Sequence, residues 1–117
     1  MKQYLLLLHE RPADSAGVSP AEMKEIVQRY QAWSQEMAAA GKLVEGLKLS
    51  DDGGRALRLE AARPVASDGP YAEAHDVIGG LFIVKADNTA EAERLAASCP
   101  HLSGRQWIEI RQIEDLG

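Results

Sequence analysis

Two stretches of the chain, residues 2–9 (KQYLLLLH) and 77–86 (VIGGLFIVKA in part or whole), are apolar on both of their alternating sets of side chains. In the first, Tyr4, Leu6 and Leu8 alternate with Leu5 and Leu7. In the second, Ile78, Phe82 and Val84 alternate with Leu81 and Ile83. Successive side chains of a strand point to opposite faces, so runs of this kind belong to strands covered on both sides. A chain of 117 residues has room for one core and little more. The expectation is a single domain over residues 1–117 with these two strands at the centre of its sheet.

The remaining segments arrange themselves around that pair. Ser19, Pro20 and Glu22 carry a capping-box pattern with proline at the first helical position. The stripe Met23, Ile26, Val27, Tyr30, Trp33 and Met37 follows with helical spacing up to Gly41, and is read as core packing. Asn88 and Glu91 cap a second helix whose stripe is Ala92, Leu95, Ala96 and Cys99, and Pro100 ends it. Residues 43–49 and 55–60, separated by SDDGG, read as a hairpin. Residues 107–113 read as a last strand, with Ile108 and Ile110 on one face and Trp107, Glu109, Arg111 and Ile113 on the other. Gly79 and Gly80 inside a strand mark a bulge or the close approach of a backbone or ligand.

This order predicts an α+β ferredoxin-like sandwich, an antiparallel sheet with two helices on one face. Helices on one face leave the other apolar face uncovered, and the simplest cover is a second copy, sheet against sheet, in a two-fold homodimer.

Charge and composition exclude several classes. A formal charge of −5 gives no basic footprint, so no nucleic-acid partner is expected. The Leu5–Leu8 run is too short for a signal peptide or a membrane span, and a cytoplasmic location with no membrane partner is expected. Cys99 is the single cysteine, which rules out an internal disulfide and fits a reducing compartment. Cys99 and His101 are one residue apart with no second pair, and His75 with Glu73 and Asp76 lacks a ligand spacing, so no metal is expected. No glycine-rich phosphate loop, serine elbow or dinucleotide fingerprint occurs, and no cofactor is expected.

Chemistry concentrates in VASDGPYAEAHDVIGG, residues 65–80, which holds Asp68, Glu73, His75 and Asp76. Asp-Gly-Pro is turn vocabulary, with Asp68 bonding nearby N–H groups. The same turn at the mouth of a sheet would also hold Asp68 as a base or as the orienter of a histidine. Spacing alone leaves both open. Glu109 and Arg111, two apart on a strand, share a face. Arg111 then pairs with Glu109 in an ordinary ion pair, or with Asp68 or a ligand carboxylate.

The opening MKQYLLLLHE, the stretch 19–49, the segment DGPYAEAHDVIGGLFIVKADNTAEAERLAASCP at 68–100 and the ending IEIRQI at 108–113 together resemble a YCII-related protein of the DGPF type. Tyr71 stands where the name-giving motif has Phe, and Gln112 where the family often has Pro. The resemblance implies a dimeric α+β barrel with a cleft, and a histidine and aspartate are proposed as catalytic in some YCII-like members. One relative acts as a dehydrochlorinase, and other DGPF proteins are linked to extracytoplasmic-function sigma factors. Asp68, Gly69, Pro70, Tyr71, Ala72, Glu73, Gly79, Gly80, Glu109 and Arg111 stand on matched positions. His101, beside Pro100, is the expected partner of Asp68, and His75 stands where the pattern shows Lys or another polar residue.

These readings combine into one expectation. Asp68 and His101 form the catalytic pair, and Tyr71, Glu73, His75 and Arg111 bind a small organic molecule in a cofactor-independent lyase or isomerase. Whether the chain is an enzyme stays open. The alternative is a non-catalytic module whose acidic loop docks a protein such as a sigma factor, and a third reading makes the DGP segment a turn that shapes the dimer.

Overall fold

The computed structural model describes residues 1–12, 17–69 and 76–117. Along the chain run β1 (Lys2–Glu10), α1 (Pro20–Ala39), β2 (Leu43–Lys48), β3 (Arg55–Glu60), β4 (Arg63–Asp68), β5 (Val77–Ala86), α2 (Thr89–Ala97) and β6 (Trp107–Gln112). Four strands form one antiparallel sheet in the order β2-β5-β1-β6. The two strands that are apolar on both faces are thus the central neighbours, as their pattern requires. The architecture is the ferredoxin-like α+β sandwich.

The two faces of the sheet differ in what covers them. Tyr4, Leu6 and Leu8 of β1 and Phe82, Val84 and Ala86 of β5 point to the helices, where they form one core with Trp33 and Met37 of α1, Ala92 and Ala96 of α2, and Cys99. Trp33 meets Phe82 edge-on with ring centroids 4.8 Å apart, the geometry aromatic quadrupoles favour. On the opposite face the register partners Leu5 and Ile83, and Leu7 and Leu81, lie side by side. All four are only half-buried.

The helices begin where the capping residues stand. Ser19 Oγ accepts from the Glu22 N–H at 3.1 Å and Asn88 Oδ1 from the Glu91 N–H at 2.8 Å. Each such cap contributes about 1 kcal/mol. Gly41 ends α1 with φ of 73°, a left-handed conformation glycine adopts freely. Lys42 Nζ then bonds Glu91 Oε1 at 3.0 Å, tying the start of β2 to the first turn of α2 and holding the Glu91 carboxyl below its usual range. Among the described residues, no helix is long and apolar enough to cross a membrane.

The hairpin expected from residues 43–49 and 55–60 does not form. β2 pairs with β5 at the sheet edge, whereas β3 pairs with β4 in a separate two-stranded sheet. β2 finds a better partner in the core strand because Gly80 admits it: a Cβ there would lie 2.7 Å from the Leu47 carbonyl oxygen. SDDGG therefore links two sheets instead of turning a hairpin. The tight turn is Ala61-Ala62, with φ of 50° and 64°. Two positive φ values are the mark of a type I′ turn, normally signalled by Asn-Gly. β4 carries Pro64, a residue that argues against a strand except at an edge, and β4 is an edge.

Candidate functional site

The glycine pair at the end of β5 fulfils both of its expected roles. Leu8 pairs with Gly80 but His9 pairs with Ile78, so the ladder skips Gly79. A side chain on Gly79 would overlap the Glu10 carboxylate. This bulge places the extra residue in β5, and beyond it His9 and Glu10 pair with Ile78 and Val77 at the rim of the sheet.

On the helix side of that rim lies a cleft of about 1140 Å³ between α1, β2 and the end of β5. Its walls include Ile26, Val27, Leu8 and Phe82, and its polar groups include Glu10, Tyr30 and His101. Small-molecule pockets are mostly apolar with a few convergent polar groups, at about 300–1,000 Å³. The cleft has that make-up.

His101 is 2% exposed, and its two ring nitrogens are both used. Nε2 stands 2.8 Å from the His9 carbonyl oxygen and Nδ1 stands 2.8 Å from Tyr30 Oη. A carbonyl only accepts, so Nε2 donates to it, and in that tautomer Nδ1 accepts from the Tyr30 hydroxyl. Tyr30 is thereby left with free lone pairs on Oη and with its own proton already committed. Burial, and then the nearby Cys99 and Glu10, push the Tyr30 hydroxyl pKa well above its usual value, so the phenol stays neutral at physiological pH.

These positions follow from local structure. Tyr30 lies one turn before Trp33 on the apolar stripe of α1, of which Trp33 and Met37 are buried while Met23 and Val27, expected in the core, stay exposed along the cleft. Trp33 is itself fixed by donating Nε1–H to Ser98 Oγ at 2.9 Å. Ser98 caps the end of α2 and donates its own O–H to the Leu95 carbonyl at 2.8 Å. Cys99, buried beneath this corner, has its thiol pKa pushed up by burial, as expected of a packing residue. Pro100 stops the helix, and His101 is delivered to the gap between α1 and β1. Among the described residues no buried side-chain nitrogen or oxygen lacks a hydrogen-bond partner.

The opposite side of the rim carries a second polar chain. His9 Nε2 meets Glu109 Oε1 at 2.9 Å, and the His9 ring stacks on Trp107 with centroids 3.9 Å apart and planes 8° from parallel. Trp107 Nε1 donates to Asp76 Oδ2 at 3.4 Å, and Asp76 pairs with Arg11 at 3.5 Å. Arg111 and Glu109 share a face and pair at 3.7 Å. His9 thus touches both sides: its ring serves the open face and its carbonyl holds His101.

Of the expected site residues, His101 lines the cleft and Arg111 lies on β6 paired with Glu109. Asp68 closes the far hairpin, where it bonds Arg55, its register partner across the strands, with its side chain 92% exposed. Asp68 and His101 thus engage different partners, and no hydrogen bond joins them. Tyr71, Glu73 and His75 lie outside the described residues. Among the described residues, no three His, Cys, Asp or Glu side chains group as metal ligands would.

Tyr30 is the site residue that sequence reasoning passed over. Its place on a helical apolar stripe gave the signal of core packing, and its partner is 71 residues away, beyond any local pattern. His9 was equally silent, since its ring partner lies 100 residues on.

The chain has no significant match among curated proteins. The YCII-related domain matches residues 2–116, nearly the whole chain, and the protein is accordingly a member of the YCII-related family.

Proposed function

We propose that this protein binds a small organic molecule in the cleft between α1 and the sheet and performs cofactor-independent proton transfer on it, as a lyase or isomerase of the DGPF type. The observation that carries this reading is the Tyr30 hydroxyl, held by His101 at the polar end of an apolar cleft. In the reaction, Tyr30 Oη accepts a proton from the bound molecule while its own proton passes to His101 Nδ1. The substrate keeps the electron pair of the broken bond. His101 becomes an imidazolium whose Nε2–H remains on the His9 carbonyl, with the Glu10 carboxylate near enough to Tyr30 to act on its charge. Expulsion of a leaving group by that electron pair completes an elimination; return of the proton to another carbon completes an isomerisation.

The working unit is a homodimer on this reading. Leu5, Leu7, Leu81 and Ile83 form an apolar surface on the face that no helix covers, and a second copy would remove it from water.

The test begins with binding. A panel of neutral, anionic and cationic aromatic fragments is screened by NMR against the wild-type protein, with the Tyr30 and His101 ring signals as reporters. A fragment that perturbs both signals, and that the Tyr30→Phe variant binds at least about tenfold more weakly, supports the cleft. If every binding fragment leaves both rings untouched, the reading fails.

A further inference from the structure

β3 and β4 hydrogen-bond as a sheet of their own, apart from the four-stranded one. A lone two-stranded hairpin is marginally stable in water, so this one needs a surface to rest on. Its register puts Leu57 opposite Ala66 and Leu59 opposite Pro64, above the Arg55–Asp68 pair at its base. That face is apolar, and Leu57 and Leu59 are 70% and 73% exposed. The other face carries Arg58, Glu60, Arg63 and Ser67 with Ala56 and Val65, a mixed face with four polar side chains of six.

The chain is more extended and more exposed than a compact domain of its length. A compact domain of this length has a radius of gyration of about 13 Å, and this chain has 16.3 Å. A folded monomer of its mass exposes about 6,200 Å², and this chain exposes 8262 Å². The excess, about 2,000 Å² on the same scaling, falls in the range that one subunit of an obligate homodimer loses to its partner, about 1,000–2,500 Å².

We propose that the β3–β4 hairpin is a dimer arm, whose Leu57, Leu59, Pro64 and Ala66 face packs on a second copy of this chain beside that copy's open sheet face. A second copy is the occupant because one two-fold operation covers both uncovered apolar surfaces in both chains. The inference rests on the homodimer proposed above.

Sedimentation velocity over a concentration series separates the two. Wild type is expected to sediment as a dimer, and the Leu57→Lys/Leu59→Lys variant to dissociate at least about 100-fold more readily, while Ser67→Lys on the polar face stays dimeric. A dimer equally tight in the double variant overturns the arm and leaves the homodimer standing. A monomeric wild type overturns both. Should the double variant fail to fold, hydrogen exchange on the wild type decides: protection of the 57–59 amides that rises with protein concentration supports the arm, and protection independent of concentration overturns it.

Discussion

The Tyr30 hydroxyl has a structural role as well as the chemical one proposed, and the two separate experimentally. Replacing Tyr30 with Phe leaves Nδ1 of His101, 2% exposed, without the donor that now stands at 2.8 Å. A buried acceptor left unmade costs about 1–3 kcal/mol, so Tyr30→Phe should lower the urea-unfolding free energy at pH 7 by an amount in that range. At high pH the difference shrinks. The folded-state pKa of Tyr30 is raised by burial first and by Cys99 and Glu10 next, so above pH of about 10, the ordinary tyrosine value, the unfolded chain releases a proton that the folded chain keeps. The contribution is present in full below that pH and is lost as pH rises toward the folded value. Wild type should therefore lose stability above pH 10 more steeply than Tyr30→Phe, with the gap between them narrowing. Parallel curves in urea titrations at pH 8, 10 and 11 would contradict this account of Tyr30.

At the scale of elements, the pairing of β2 with β5 turns on Gly80. A methyl group there would meet the Leu47 carbonyl oxygen at 2.7 Å, and backbone cannot step aside as a side chain can. Gly80→Ala should cost about 1–3 kcal/mol by pushing β2 off the sheet edge, detected as faster hydrogen exchange in β2 than in β1. Equal exchange in both strands would mean that β2 accommodates the methyl. In the arm, Ala61 and Ala62 both hold positive φ, a conformation that costs an L-residue about 1–2 kcal/mol. Ala62→Gly should slow amide exchange in β3 and β4 by roughly fivefold or more on that figure. These two sites also explain what the sequence could and could not convey. β1, β5, both helices and their caps were legible because burial on both faces, helical spacing and Ser19 or Asn88 are local signals. The partner of β2 was not, because a glycine in β5 decides it from thirty residues away. β4 was hidden by Pro64 and by a turn made of alanines. In the cleft, His101 stood out beside Pro100, but Tyr30 looked like any other member of an apolar stripe.

The whole molecule measures 48 × 45 × 19 Å, and its thin dimension is that of one helix layer on one sheet, each about 10 Å deep. Among the described residues no helix covers the far face of the sheet, where Leu47, Ile78 and Trp107 are also exposed. If dimerisation supplies that cover, folding and association are one equilibrium, and stability must depend on concentration. Mass action then adds about 1.4 kcal/mol per tenfold rise in protein, because one dimer gives two unfolded chains. For a domain of this size about 1 kcal/mol moves the melting temperature by about 4–8 °C when unfolding is of one chain, and the heat of unfolding is doubled for a dimer, which halves the shift. Raising the concentration from 2 µM to 200 µM, a roughly hundredfold range chosen on that mass-action scale, should therefore raise the melting temperature by several degrees. The Leu57→Lys/Leu59→Lys variant should show a midpoint that moves less, because its chains are already apart. A wild-type midpoint constant across the range would mean that the exposed apolar face and the arm are tolerated in water by a chain that folds alone.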